Sequence, residues 1–154
     1  MKKKKSKLLV TGAAGFIGSE FVRQAVGRGY KVTVVDSMTY AADLVRLGSV
    51  KGKYSFYKAD ICDRNKLKLI FKKVKPDIVV HLAAESHVDR SITGPAEFIQ
   101  TNIVGTYVLL EACRDYFSSL DGGDRERFRF HHVSTDEVYG DLEADAPEFT
   151  EATP

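Results

Sequence analysis

Apolar residues concentrate in short runs, separated by longer segments in which they recur every three or four positions. The runs at 8–10, 31–35, 54–58, 77–82 and 128–133 predict five strands; the second is rich in β-branched residues. Between the first two strands, Phe16, Ile17, Phe21, Val22 and Ala25 stand at helical spacing, which predicts a helix over 16–26 closed by Gly27 and Gly29. Residues 41–47 suggest a short helix. Residues 64–73 predict another, with Leu67, Ile70 and Phe71 inward and Pro76 beyond its end. A long helix is expected over 97–117, followed by a turn at Gly122-Gly123. From 141 to 154 the chain is acidic and aperiodic. Strand and helix alternate along the whole length, with no internal repeat, which predicts an α/β domain with a parallel, doubly wound sheet. Strands this continuously apolar predict helices on both faces.

Composition narrows the class. The 154 residues are 44% apolar and 29% charged, the profile of one soluble globular domain. The net charge is +2, but Lys2, Lys3, Lys4, Lys5 and Lys7 carry the excess and the other 147 residues sum to −3. This predicts a basic tail over 1–6 and a domain over 7–154. No aromatic residue or amphipathic helix supports the lysines, so they read as a solvated tip, with neither nucleic acid nor membrane as partner. The apolar run after them is too short for a signal peptide, and no stretch reaches the length of a membrane span. Cys62 and Cys113 read as reduced core thiols, not as a disulfide or metal site. Together these features predict a cytoplasmic protein without a metal.

The loop after the first strand reads Gly12-Ala-Ala-Gly15-Phe16-Ile17-Gly18. Gly12 permits a tight turn, Gly15 lets the backbone approach a pyrophosphate, and Gly18 allows close packing. The following helix offers free N–H groups and its dipole to phosphates. A glycine pattern alone is weak evidence; here a strand precedes it, a helix follows, and an acid stands downstream. That acid is Asp36, at the end of the second strand, where a carboxylate accepts from ribose hydroxyls and repels a 2′-phosphate. A Rossmann-type fold that prefers NAD over NADP is the expectation. The G-x-x-G-x-x-G spacing resembles the short-chain dehydrogenase/reductase superfamily. That resemblance implies adenine contacts from Asp60 and Ile61, although Asp60 alone could equally be an N-cap or turn residue. Leu82, Ala83 and Ala84 end the fourth strand, where small side chains let a cofactor lie against the backbone. Asn102 is either solvated or aimed at the site; the stripe Asn102, Gly105, Leu109, Ala112 favours the inward reading.

Two segments narrow the chemistry. His81-Leu-Ala-Ala-Glu-Ser-His-Val-Asp-Arg-Ser-Ile-Thr-Gly-Pro95 and His132-Val-Ser-Thr-Asp-Glu-Val-Tyr-Gly140 resemble the loops after strands four and five of dTDP-glucose 4,6-dehydratases. The likeness extends over residues 7–154, through Asp36-Ser-Met-Thr-Tyr-Ala41, Asp60-Ile-Cys-Asp63 and Thr101-Asn-Ile-Val-Gly-Thr106. It implies that Thr39 and Thr101 also touch NAD, and that dTDP-glucose is the substrate. It further implies that Asp136 is the acid, Glu137 the base, and Thr135 the donor to the sugar C4 oxygen. Chemistry agrees: after oxidation at C4 the C5 proton is acidic, and eliminating water across C5–C6 needs one base and one acid. A polar β–α loop would supply an Asp at a turn without any such role. Ser86, His87 and Arg90 lie on the loop after the fourth strand, near where substrate should sit, and His87 could instead cap a turn.

The superfamily also uses a Tyr-x-x-x-Lys couple, in which a helix brings i and i+4 to one face. Tyr54-Ser-Phe-Tyr-Lys58 has the spacing but falls on a predicted strand, where the two ends lie about 13 Å apart. The couple, the nucleobase-recognising residues and the substrate domain are therefore expected beyond Pro154, and the 154 residues alone are expected to be inactive. The resemblance implies a homodimer for the longer protein. Two other readings compete: another sugar-nucleotide epimerase or decarboxylase, which the Asp136-Glu137 pair disfavours, and a non-catalytic NAD-binding module.

Overall fold

The computed structural model describes residues 5–142 and 145–153. Residues 1–4, most of the expected basic tail, lie outside the described residues. Five parallel strands form one sheet: β1 (Lys7–Thr11), β2 (Lys31–Asp36), β3 (Tyr54–Lys58), β4 (Ile78–His81) and β5 (Arg129–His132). Their order is β3-β2-β1-β4-β5. β1 is thus the central strand, paired Leu8–Val32 on one side and Leu8–Ile78 on the other.

The strands' alternation sorts the core into two layers. Leu8, Val10, Val32, Val34 and Val80 face α1 (Phe16–Gly27) and a 3₁₀ helix at Leu44–Val50, burying Val22, Ala25, Leu47 and Val50. Leu9, Val35 and Val79 face α2 (Arg64–Val74) and the long helix, burying Leu67, Ile70, Phe71, Leu109, Ala112 and Cys113. The doubly wound α/β expectation holds. α2 begins at Asp63, whose carboxylate accepts from the Lys66 N–H at 2.9 Å. It ends at Lys75 in the left-handed region, with Pro76 next.

Several expectations need correction. The short helix expected at 41–47 is the 3₁₀ segment, displaced because Asp43 caps it through Val45 N–H. The long helix starts earlier, at Pro95, whose fixed φ and missing N–H suit a first helical position. It runs through α4 (Pro95–Phe98), a π-helical stretch at Ile99–Gly105, and α5 (Thr106–Ser118). Two short helices, α3 (Val88–Thr93) and α6 (Gly122–Arg127), went unforeseen; α6 occupies the expected glycine turn. Phe16 and Ile17 do not face inward. They are 82% and 66% exposed, because the buried stripe of α1 is Gly18, Ser19, Val22 and Ala25. Cys113 is a buried thiol, pushed up to about 12 by that burial; Cys62 is only half-buried. Among the described residues no helix is long and apolar enough to cross a membrane.

Candidate functional site

Because all strands are parallel, their C-terminal ends gather along one edge of the sheet, where ligands bind in such folds. The loops leaving that edge line an open cleft of about 120 Å³. The loop after β1 contributes Gly12 and Gly15, and the loop after β2 contributes Asp36 and Thr39. Asp60 and Ile61 come from the loop after β3, Leu82, Ala83 and Ala84 from the loop after β4, and Thr101 from the π-helical stretch. The residues expected at the cofactor therefore converge, except that Phe16, Ile17 and Gly18, at the start of α1, do not themselves border the cleft.

The glycines are demanded by space. Gly12 has φ +65°, and a Cβ on it would lie 2.5 Å from Ala83 N and 2.6 Å from the Leu82 carbonyl. Only a glycine lets the loops after β1 and β4 meet there. A Cβ on Gly18 would lie 2.2 Å from the Gly12 oxygen. Its close partner is thus the loop itself, not the strand. Gly15 is the N-cap of α1 and donates its N–H to Gly12 O at 3.2 Å. Ala14 N–H donates to Asp36 at 2.9 Å. The amides of Phe16, Ile17 and Gly18, in the first helical turn, have no intrahelical acceptor. They mark the positive end of α1 as a place for an anion.

Asp36 is 7% exposed. One carboxylate oxygen accepts from Ala14 N–H and the other from Met38 N–H, both at 2.9 Å. Each keeps a lone pair for a hydroxyl donor. Asp60 is the turn residue that was one of its two readings: it accepts from Cys62 N–H at 2.8 Å. It also borders the cleft. Asn102 faces inward. Its amide accepts from Glu85 N–H at 2.8 Å and donates to Glu85 C=O at 2.9 Å, clamping one residue of the loop after β4. Three residues on, a Cβ at Gly105 would lie 2.7 Å from the Ile61 side chain, so glycine lets the long helix lie against the loop after β3 without displacing it.

Sequence reasoning missed two groups. His81, 1% exposed, ends β4; its Nδ1 meets Thr11 Oγ1 at 2.7 Å and its Nε2 meets Thr106 Oγ1 at 3.0 Å. Burial, and then the neighbouring His132, lower its pKa from 6.5 to about 4, so the ring is neutral. Its partners lie 70 and 25 residues away, where no local pattern could point to them. The second group joins Arg90, expected only near substrate, to Tyr40 and Glu85 beside the cleft. The Tyr40 hydroxyl donates to Glu85 at 3.1 Å, and the Arg90 guanidinium stacks 4.0 Å from the Tyr40 ring centroid.

Thr135, Asp136 and Glu137 follow β5 at the same sheet edge. Asp136 and Glu137 open a short 3₁₀ helix, Asp136–Tyr139, and all three are exposed. The Thr135 hydroxyl donates to the Glu137 carboxylate. None of the three borders the cleft wall, nor do Ser86 and His87. His87 is the N-cap residue of α3 but makes no side-chain cap, so capping does not account for its imidazole.

Residues 9–154 match the family described as GDP-mannose 4,6 dehydratase. The chain belongs to this family. Within the 4,6-dehydratases, it is 53% identical over 150 residues to the dTDP-glucose 4,6-dehydratase of Haemophilus influenzae, covering 96% of this chain and 44% of that one. It is 59% identical over 139 residues to that of Shigella flexneri, covering 88% and 38%. Among solved structures it resembles a dTDP-glucose 4,6-dehydratase from Streptomyces venezuelae with NAD bound, at TM-score 0.80 and 43% identity over 96% of this chain and 44% of that one. A UDP-glucose 4-epimerase from Thermotoga maritima aligns at TM-score 0.75 and 34% identity, over 90% and 41%. The chain spans less than half the length of these relatives.

Proposed function

We propose that this chain is the NAD-binding part of a dTDP-glucose 4,6-dehydratase, which converts dTDP-glucose to dTDP-4-keto-6-deoxyglucose. The observation that carries the reading is the Asp136-Glu137 pair, standing after β5 on the sheet edge that also bears the glycine-lined cleft. The cleft fits NAD by its own features: a glycine cradle that a Cβ would fill, the free first turn of α1, and a buried Asp36 with lone pairs to spare. Phe16 and Ile17 amides would hold the pyrophosphate, Asp36 the ribose hydroxyls, Asp60 and Ile61 the adenine. Thr39, Leu82, Ala83, Ala84 and Thr101 would close around the remainder. Bound NAD supplies the hydride chemistry, as acceptor for oxidation at C4 and donor for reduction at C6.

The chain's own residues perform the middle step. Glu137 takes the C5 proton and Asp136 gives a proton to the departing C6 hydroxyl, so the two carboxyls must hold opposite protonation states. Thr135 leaves its Glu137 partner to donate to the C4 oxygen, which steadies the charge that makes C5 acidic. Ser86 and His87, on the neighbouring loop, contact the sugar nucleotide. The protein works in the cytoplasm, in keeping with two free cysteines, and pairs with a second copy.

Incubating the full-length protein with dTDP-glucose and NAD in D₂O tests this. A 4-keto-6-deoxy product carrying solvent deuterium at C5 is expected. C4 inversion without loss of water would assign the chain to epimerase chemistry instead.

A further inference from the structure

Two loops flank the cleft on the side of the long helix, and one cluster of side chains joins them. The loop after β2 carries Thr39 into the cleft and, one residue on, sends Tyr40 outward. The loop after β4 lines the cleft with residues 82–85 and continues to Arg90 in α3. The Tyr40 hydroxyl reaches the Glu85 carboxylate at 3.1 Å, and Arg90 lies 4.0 Å from the Tyr40 ring centroid. Among the described residues, the Tyr40–Glu85 bond is the only hydrogen bond between these two loops. We propose that Tyr40, Glu85 and Arg90 form a clasp that holds the loop after β2 against the loop after β4 and thereby retains NAD in the cleft. The proposal rests on the reading of the cleft as an NAD site.

The two halves of the clasp are anchored separately. Glu85 is fixed from behind, since Asn102 binds both its backbone N–H and its C=O. Arg90 is fixed by Glu97 at 3.2 Å. The loop after β2 is tied only within its own half of the sheet: between Met38, held by Asp36, and Asp43, whose N–H returns to Ala14 O at 2.9 Å, Ala42 N–H donates to Thr39 O at 3.1 Å and Arg46 donates to Ala41 O at 2.9 Å. Tyr40 sits in the middle of that span. Its ring gives Arg90 a cation–π face and its hydroxyl gives Glu85 a charge-assisted bond, so one side chain closes both contacts. A shallow recess beside the main cleft shares Thr39, Glu85 and Thr101 with it, which places the clasp at the mouth. Opening it would free the Thr39 wall. These are positioning residues, acting on the cofactor through the loops.

The test measures NAD release from the full-length protein by displacement, together with backbone hydrogen exchange of the cofactor-free protein. Tyr40→Phe keeps the ring and removes the hydroxyl; NAD release should quicken about 3- to 10-fold, the net scale of one solvent-exposed hydrogen bond. Tyr40→Ala, losing both contacts, should exceed it. Glu85→Gln retains an acceptor and should restore slow release that Glu85→Ala loses. Exchange at 37–43 should accelerate in Tyr40→Phe without NAD present, which a role in direct cofactor contact would not produce. Equal release from Tyr40→Phe and the unaltered protein, with both binding NAD, would overturn the clasp and leave the NAD site standing. Failure of the unaltered protein to bind NAD would overturn the site and the retention role with it, whatever the exchange shows.

Discussion

At Gly18 a single hydrogen atom stands where a methyl group would lie 2.2 Å from the Gly12 carbonyl. Both partners are backbone, so nothing flexible can yield. Gly18→Ala should destabilise the protein by about 2 kcal/mol or more, seen as a lowered denaturation midpoint, because overpacking here must move the loop or the helix. A midpoint equal to that of the unaltered protein would show that α1 can shift freely. Asp36 yields a different test. Asp36→Ala should narrow the preference for NAD over NADP in a binding titration, and it also removes the acceptors of Ala14 and Met38. Asp36→Asn keeps one acceptor oxygen and separates selectivity from loop support. Tighter NADP binding by the unaltered protein would sink the assignment. At this scale the glycines and Asp36 were legible because spacing along a short segment carries their meaning. Tyr40 and Glu85 were not, since 45 residues separate two side chains that meet only once the sheet is built.

At the scale of elements, the strand limits were legible to within a residue or two, since short apolar runs between helical segments have few alternatives, even for the exposed β3 and β5. The π-helical stretch was not, because its 7 residues are too few for a changed period to show. α3 and α6 bury no side chain, so they left no stripe to read. His81 ties three elements, β1, β4 and α5, through two threonines. Its folded pKa of about 4 lies below the unfolded 6.5, so the unfolded chain binds the extra proton between those values. Stability should therefore be full above pH 6.5 and fall as pH drops toward 4, by about 3 kcal/mol in all. Denaturant midpoints across that range should show the slope, and His81→Gln should flatten it. In the 3₁₀ element after β5, Glu137→Gln should suppress C5 proton exchange and Asp136→Asn should slow loss of the C6 hydroxyl, each measured in the full-length protein. Full turnover by the double variant would remove the acid–base reading.

For the molecule as a whole, the long helix has more apolar surface than one face of a sheet can use. Leu109, Ala112 and Cys113 are buried, while Ile99, Ile103, Tyr107 and Leu110 remain exposed at 53%, 60%, 59% and 44% along its outer side. A stripe of that kind suits a two-fold contact with a second copy. Sedimentation of the full-length protein should show a dimer at micromolar concentration, and Ile103→Glu should shift it to monomer. A strict monomer would mean that the stripe is covered within one chain. The sheet order has a consequence in time. β1 is made first and lies at the centre, yet its β4 neighbour begins 70 residues later, as the pairing of Leu8 with Ile78 records. At ribosomal speeds of about 5–20 residues per second, one edge of that apolar strand waits roughly 4–14 seconds for its partner. During that interval it is an open template for any other extended chain. Slowing synthesis between Lys31 and Ile78 should raise the aggregated fraction of newly made protein, while refolding the intact chain should be indifferent to where codons are slow.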